Sequence, residues 1–257
     1  MKITRKILKI IRLAFIAFVL LINIPEDLYA GGALFDISHR VIFQPDSERP
    51  LGLKKFVNLF KTAGKKVTLS EGSLSSKTLT NSDVLIIPGS MRSYSKEEIG
   101  TIEAYVKDGG SLLVLLHIAP PLARLTERFG IILSNFVVSE SINIIGKQSQ
   151  DFYARDIAPH PVTEGVKSIA LYGAWALITE GNAKTVAYTS DRAWGDMNRN
   201  RMFDGGEPML KLGLVAAAQF GKGRVVVVAD DAPLANAFIG EADNIKLAKN
   251  IINWLIK

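Results

Sequence analysis

The chain has 257 residues, 31 Lys and Arg against 25 Asp and Glu, a formal charge of +6, and no cysteine. Lacking sulfur nucleophiles, it has no thiol catalysis, thiolate metal site, thiol redox chemistry or disulfide, and its core alone must hold the fold. Residues 1–30 carry five bases and two acids, so the remainder is only +3; with no finger spacing and no basic and aromatic interleave, no nucleic-acid partner is expected.

The chain opens with Lys2, Arg5, Lys6, Lys9 and Arg12, runs apolar from Ala14 to Ile22, and turns polar at Asn23, Pro25, Glu26 and Asp27. A basic stretch followed by a short apolar one is the pattern of an export signal, and nine apolar residues are too few for a comfortable membrane span. Small residues Ala30 and Gly31 suit cleavage between them. The expected location is therefore exported, periplasmic or extracellular. The alternatives are a chain anchored to the membrane by residues 1–30 and a cytoplasmic one. Residues 31–257 are expected to form a single domain.

Ala33–His39 predicts a first strand. Leu51, Leu53, Phe56, Leu59 and Phe60 then repeat near a helical period up to Gly64. Val67–Leu69 predicts a second strand, residues 72–82 a polar connection, and 83–88 (DVLIIP) a third strand whose unbroken apolar centre suits burial on both faces. Ser95 and Glu98 have capping-box spacing ahead of a helix that Gly109 and Gly110 stop. Residues 111–116 (SLLVLL) predict the central strand, followed by His117, Pro120-Pro121 and a helix through Leu122, Leu125 and Phe129. Strands alternating with amphipathic helices predict a three-layer, doubly wound, mostly parallel α/β fold. Further on, Ile131–Leu133 reads as an edge strand and 138–161 as loops around one or two short strands. Residues 169–172, 185–188, 214–220 and 224–229 predict strands, and Asn244–Leu255 a closing helix. Residues 191–208, with Trp194, Asp196, Asn198, Arg199, Arg201 and Met202, read as a long polar loop, either a lid over a site or solvated surface.

Open α/β sheets place ligands beyond the carboxyl ends of their strands. The polar residues there are Asp36, Ser38, His39 and Arg40 after the first strand, Gly89 and Ser90 after the third, His117 after the fourth, and Asp230, Asp231 and Asn236 after the last. His39, Arg40, Ser90, His117, Asp230, Asp231 and Asn236 are the candidate ligand contacts, and His117, Asp36 and Asp230 the candidates for catalysis. His117 sits where a buried strand turns toward a helix, a place for a base, a metal ligand, a hydrogen-bond donor to a ligand, or a histidine satisfied by a loop carbonyl. His39 with Asp36 and Arg40 either binds a small anion or pins the loop through an Arg40–Asp36 pair. Asp230 and Asp231 are adjacent, so one faces the cleft, or one caps the following helix. His39, His117 and His160 lack metal-ligand spacing, so no metal and no cofactor is expected. Gly221-Lys222-Gly223 precedes a strand and is not a P-loop.

The segments DVLIIPGS at 83–90, DGGSLLVLLHIAP at 108–120, HPVTEGV at 160–166 and residues 221–255 (GKGRVVVVADDAPLANAFIGEADNIKLAKNIINWL) resemble the class I glutamine amidotransferase-like superfamily. The likeness is to its divergent DUF4350 and ThuA-like branches. It implies a flavodoxin-like fold of the glutamine amidotransferase type. In the catalytic members a cysteine occupies the elbow that here is His117, and a histidine with an acidic partner follows where this chain has Asp230 and Asp231. Glutamine hydrolysis is thus out of reach. The ThuA-like branch implies a link to carbohydrate metabolism. Two readings result. The first is a non-catalytic binding or scaffold domain, with a small polar or carbohydrate ligand or a protein partner at the membrane. The second is a hydrolase or carbohydrate-modifying enzyme using His117 with Asp36 or Asp230.

Overall fold

The computed structural model describes residues 31–256; the expectations placed on residues 1–30 lie outside the described residues. Four short apolar segments are buried along nearly their whole length: β1 (Gly32–Asp36), β3 (Val84–Pro88), β4 (Ser111–Leu115) and β13 (Gly223–Val228). With β2 (Lys66–Ser70) they pair in parallel in the order β2-β1-β3-β4-β13. Burial on both faces is what a parallel strand between helical layers requires. The helices are α1 (Lys54–Thr62), α2 (Ser76–Leu79), α3 (Lys96–Lys107), α4 (Ala123–Glu127) and α5 (Asn244–Leu255). They make this a mixed α/β fold with a largely parallel central sheet flanked by helices.

The parallel order stops at β13. Beyond it lies an antiparallel wing of β12 (Gly213–Phe220), β9 (Trp175–Thr179), β5 (Ile131–Glu140) and β11 (Ala193–Asp196). On β12, β10 (Lys184–Tyr188) also pairs, carrying β7 (Asp156–Ile157). The expectation of a mostly parallel sheet did not include this wing. The β12–β13 pair is joined by a turn too short for anything but antiparallel pairing, while β9, β5 and β11 pair with strands distant in sequence. The β12–β13 turn has Gly221 at φ +58°, where an added Cβ would stand 2.4 Å from the Lys107 carbonyl oxygen, so glycine is required there. A separate two-stranded ribbon joins β6 (Asp151–Ala154) to β8 (Ile169–Tyr172).

Several predicted elements differ. Ile131–Leu133 pairs on one side only, with β9, and is the start of a longer strand, the ten-residue β5, which β11 joins at Val137–Glu140. The polar stretch 72–82 contains α2, capped by Ser75 accepting from the Thr78 N–H. Residues 191–208 begin with β11 rather than being loop throughout. β9 had no counterpart among the predicted strands. The capping box is present, with Ser95 Oγ accepting from the Glu98 N–H at 3.1 Å and Glu98 Oε2 from the Ser95 N–H at 3.0 Å. No helix among the described residues is long and apolar enough to cross a membrane.

Register sets the site. Pro88 is level with Leu115, and Leu115 with Val228, so Gly89-Ser90, Leu116-His117 and Ala229-Asp230 leave three neighbouring strands at one height. Phe35 is level with Ile86, which brings Asp36 to the same rim.

Candidate functional site

The rim carries two separate polar constellations. In the first, Asp36 is fully buried and its carboxylate is saturated. Oδ1 accepts from the Ser38 N–H at 3.0 Å and Ser38 Oγ at 2.6 Å; Oδ2 meets His39 Nδ1 at 2.8 Å and accepts from the Tyr94 hydroxyl at 2.5 Å. His39 stacks on Tyr94 with ring centroids 3.8 Å apart, and its Nε2 lies 3.3 Å from Glu98 Oε2. Ser90, also buried, reaches the Tyr94 hydroxyl at 3.0 Å.

The charges in this network are complementary, a histidine cation between two carboxylates. Burial opposes ionisation of Asp36, but hydrogen bonds from His39, Ser38 and Tyr94 outweigh it and hold the carboxyl below its usual value. For His39, burial favours the neutral ring, yet the hydrogen bond and charge of Asp36 and the nearby Glu98 raise it above 6.5. Burial pushes Glu98 up, and backbone N–H groups of Ser95 and Leu74 with the His39 charge bring it lower. Burial and the neighbouring Asp36 push the Tyr94 hydroxyl well above 10.0, so it stays a donor. With every oxygen and both imidazole nitrogens engaged, this is a closed carboxylate–imidazole–carboxylate clamp that ties β1, the loop after β3 and α3 together.

His117 forms the second constellation. Its Nδ1 lies 3.2 Å and 3.1 Å from the two carboxylate oxygens of Asp231, which is 2% exposed. The His117 side chain is 30% exposed, and among the described residues its Nε2 has no hydrogen-bond partner. Phe43 packs its ring at 63° to the imidazole, and Trp175 Nε1 donates to the His117 carbonyl at 3.3 Å. Gly89 lies against the pair at φ +72°: a Cβ there would come within 2.5 Å of Asp231 Oδ2 and 2.9 Å of His117 Cβ. The hydrogen bond that His117 donates to Asp231 raises its imidazole above 6.5 against the opposing effect of burial. Burial pushes Asp231 up, with the imidazole pulling the other way. Such a pair holds the ring by Nδ1 and leaves Nε2 for a ligand hydroxyl or a water.

The other expected contacts have structural occupations. Asp230, expected as a partner of His117, does not meet it: its Oδ2 accepts from the Tyr172 N–H at 2.5 Å and Oδ1 from the Ala232 N–H at 2.9 Å. Full burial and the adjacent Asp231 push its carboxyl well above 3.8. Of the adjacent acids, Asp230 folds the turn at Ala232 and Asp231 meets the imidazole. Asp36 likewise meets His39 and not His117, because Tyr94 and Ser38 hold it inside the first network. Arg40 does not pin Asp36 and is exposed at φ +55°. Asn236 spends its amide on the scaffold: Oδ1 accepts from the Lys55 N–H in the first turn of α1, and Nδ2 donates to the carbonyls of Ser47 and Arg49, all at 2.8 Å. His160 accepts from the Val162 N–H and packs on Trp254 beside the start of the β12–β13 turn, at the end of β13 opposite Asp230. Tyr94 and Glu98 had not been assigned to the site. Residues 191–208 pair with β5 through β11 and otherwise hydrogen-bond to Ser141, Gln148, Ser149, Gln150, Ser190 and Leu210 and within the segment, not to the rim. Among the described residues no group of three or more His, Cys, Asp and Glu side chains is placed to hold a metal ion.

A family model described as a domain of unknown function, DUF4350, matches residues 45–252. The chain belongs to the DUF4350 family. The matched span runs from the loop before α1 nearly to the end of α5 and so includes Ser90, His117 and Asp231, while Asp36 and His39 precede it. Among curated proteins none matches. Among solved structures, the mmIFT52 N-terminal domain is 15% identical with a TM-score of 0.72, covering 88% of this chain and 97% of that one. A ThuA-like protein from Bacteroides uniformis is 14% identical with a TM-score of 0.54, covering 88% and 91%. Cytoplasmic protein STM1381 from Salmonella typhimurium is 16% identical with a TM-score of 0.54, covering 80% and 88%. At these identities the likeness is one of fold alone.

Proposed function

We propose that this DUF4350 domain is a non-catalytic binding module on a flavodoxin-like, glutamine amidotransferase-like fold, exported or tethered by its N-terminal segment. It takes a small polar ligand, carbohydrate by preference, at the rim beside His117, and its surface is available to a protein partner at the membrane. The observation that carries this reading is the His117–Asp231 pair. A buried carboxylate fixes Nδ1, the ring is partly exposed at the strand-end elbow, and Nε2 faces no protein partner among the described residues. Neutral imidazole so held accepts from a sugar hydroxyl; protonated, it donates to a sugar acid. Thermal shift of the full-length protein with neutral saccharides and sugar acids tests it. A saturable rise in melting temperature that disappears in His117→Ala supports the reading. No shift with any of them, alongside stable co-purification of a protein, overturns the small-ligand reading and favours scaffolding.

A second reading, hydrolysis with His117 as base, draws on the same geometry, with Asp231 rather than Asp36 or Asp230 as the orienting acid. Turnover of chromogenic esters or glycosides that is lost in both His117→Ala and Asp231→Asn would favour it. Turnover unaffected by either substitution would sink it.

A further inference from the structure

The hairpin that leaves β11 has an oxygen spacing that neither the rim nor the family assignment explains. From Asp196 the sequence runs DMNRNRMFDGGE to Glu207. Counting Asp196 as one, Asn198 and Asn200 are third and fifth, Met202 seventh, Asp204 ninth and Glu207 twelfth. Those are the ligand positions of the twelve-residue calcium loop, in which the seventh supplies a backbone carbonyl and the twelfth a bidentate carboxylate. The one departure is at the sixth position, where Arg201 stands in place of glycine. Yet Arg201 has φ +64°, the left-handed turn for which glycine is favoured there.

The internal bonds follow the same plan. The Arg201 N–H donates to Asp196 Oδ2 at 3.0 Å, folding the middle of the loop back over its first residue. Asn198 Oδ1 accepts from the Asn200 N–H at 3.0 Å and Asn200 Oδ1 from the Met202 N–H at 2.8 Å, two successive side-chain turns. The amide NH2 groups of Asn198 and Asn200 converge on Asp204 Oδ2 at 2.6 Å and 2.7 Å, so the third, fifth and ninth side chains meet at one point. Glu207 closes the ring, Oε1 accepting from the Met197 N–H and Oε2 from the Asp204 N–H. Arg201 directs its guanidinium outward to Gln148. The Gly195 N–H, donating to the Pro208 carbonyl, and the Trp194–Met209 bridge shut the hairpin at its base.

The independent observation is Asp196 itself. It is fully buried, and its Oδ1 has no hydrogen-bond partner. Its other oxygen, Oδ2, is engaged by the Arg201 N–H at the middle of the loop and by Gln150 Nε2, so Oδ1 alone of this carboxylate is left without a donor. A buried carboxylate oxygen without a donor is a rare arrangement that a cation resolves.

We propose that residues 196–207 bind one calcium ion. Its ligands are the side chains of Asp196, Asn198, Asn200, Asp204 and Glu207 with the Met202 carbonyl, seven oxygens when Glu207 is bidentate. On binding, each asparagine gives up its Nδ2 bond to Asp204 and offers the ion the same Oδ1 that accepts from the Asn200 or Met202 N–H. As the loop stands, its three acids are not gathered around one point, since Asp204 and Glu207 are held by amide and backbone N–H groups of the loop; the ion takes the place of those bonds and draws the acids together with the two amides and the carbonyl. Three carboxylates with an arginine at the turn suit the weak affinities of extracellular modules, on the order of 10⁻⁴–10⁻³ M.

The test uses full-length protein stripped with a chelator. Terbium is added as a calcium probe, with its emission excited through the neighbouring Trp194, and calcium affinity is read by its displacement of terbium and by the calcium-dependent rise in melting temperature. Expected are saturable binding of one ion per chain, calcium outcompeting magnesium, and at least about a tenfold loss of affinity in both Glu207→Gln and Asn198→Ala. Melting curves in chelator that match the wild type establish that these variants fold. The exposed Asn198 is the safeguard if Glu207→Gln does not. No calcium-dependent change up to about 10 mM, magnesium acting equally, or unchanged affinity in the folded variants would each overturn the proposal.

Discussion

Gly89→Ala is the sharpest perturbation of the rim. At φ +72° an L-residue costs about 1 kcal/mol relative to glycine. The added methyl would lie 2.5 Å from Asp231 Oδ2 and 2.9 Å from His117 Cβ. Neither neighbour is the far end of a long side chain, and Asp231 is closed in, so relief requires the pair to separate. Overpacking of this kind adds about 1–3 kcal/mol. The sum, about 2–4 kcal/mol, is a large share of the roughly 5–15 kcal/mol that holds an ordinary domain. In urea denaturation it lowers the midpoint by about 1–2 M for a slope near 2 kcal/mol/M. A second readout separates strain from loss of the pair: the His117 ring, followed by NMR, titrates nearer its ordinary value in the variant. A midpoint within about 0.2 M of wild type, with His117 titrating unchanged, would refute the packing of Gly89 against this pair.

The Asp36–His39–Glu98 clamp makes stability depend on pH in two directions. Asp36 and Glu98 are lowered in the folded protein, so their contribution is present above the ordinary carboxylate range and lost as pH falls through their folded values. His39 is raised, so its contribution is complete below 6.5 and lost as pH rises through its folded value. Chemical denaturation across pH should show the clamp's contribution greatest between the carboxylate range and 6.5, with that maximum flattened in His39→Gln; identical pH profiles would contradict the ion-paired clamp. Asn236→Ala deletes the cap on α1 and the anchors of Ser47 and Arg49. It should cost about 2 kcal/mol in urea denaturation while leaving the titration of His117 unchanged, since its amide contacts only scaffold. A shift of His117 would mean that Asn236 belongs to the site after all.

The parallel block was legible because its strands are buried on both faces and leave continuous apolar runs, as in 111–116. The capping box of α3 and the period of α5 were legible for similarly local reasons. β5 was not, since exposed and half-exposed residues such as Ser134 and Asn135 interrupt its apolar ends. β11 was hidden because a four-residue strand ending in Asp196 looks like loop. Strand ends marked the rim correctly, but adjacency in sequence does not say where side chains point. Asp230 turned to the backbone of Tyr172 and Ala232, and Asp231, its neighbour, to the imidazole. Glu98 was visible only as a cap, because a second partner 59 residues away in sequence, His39, leaves no local trace. Tyr94 had no signal at all.

The functional account rests on which ring nitrogen of His117 is free. Long-range proton–nitrogen NMR of the His117 imidazole, recorded above its pKa and again with a saccharide that raises the melting temperature, reads this directly. The account predicts a neutral ring protonated at Nδ1 and facing Asp231, with the Nε2 resonance moving when the sugar is added. A ring protonated at Nε2, or an Nε2 resonance indifferent to such a ligand, would contradict it.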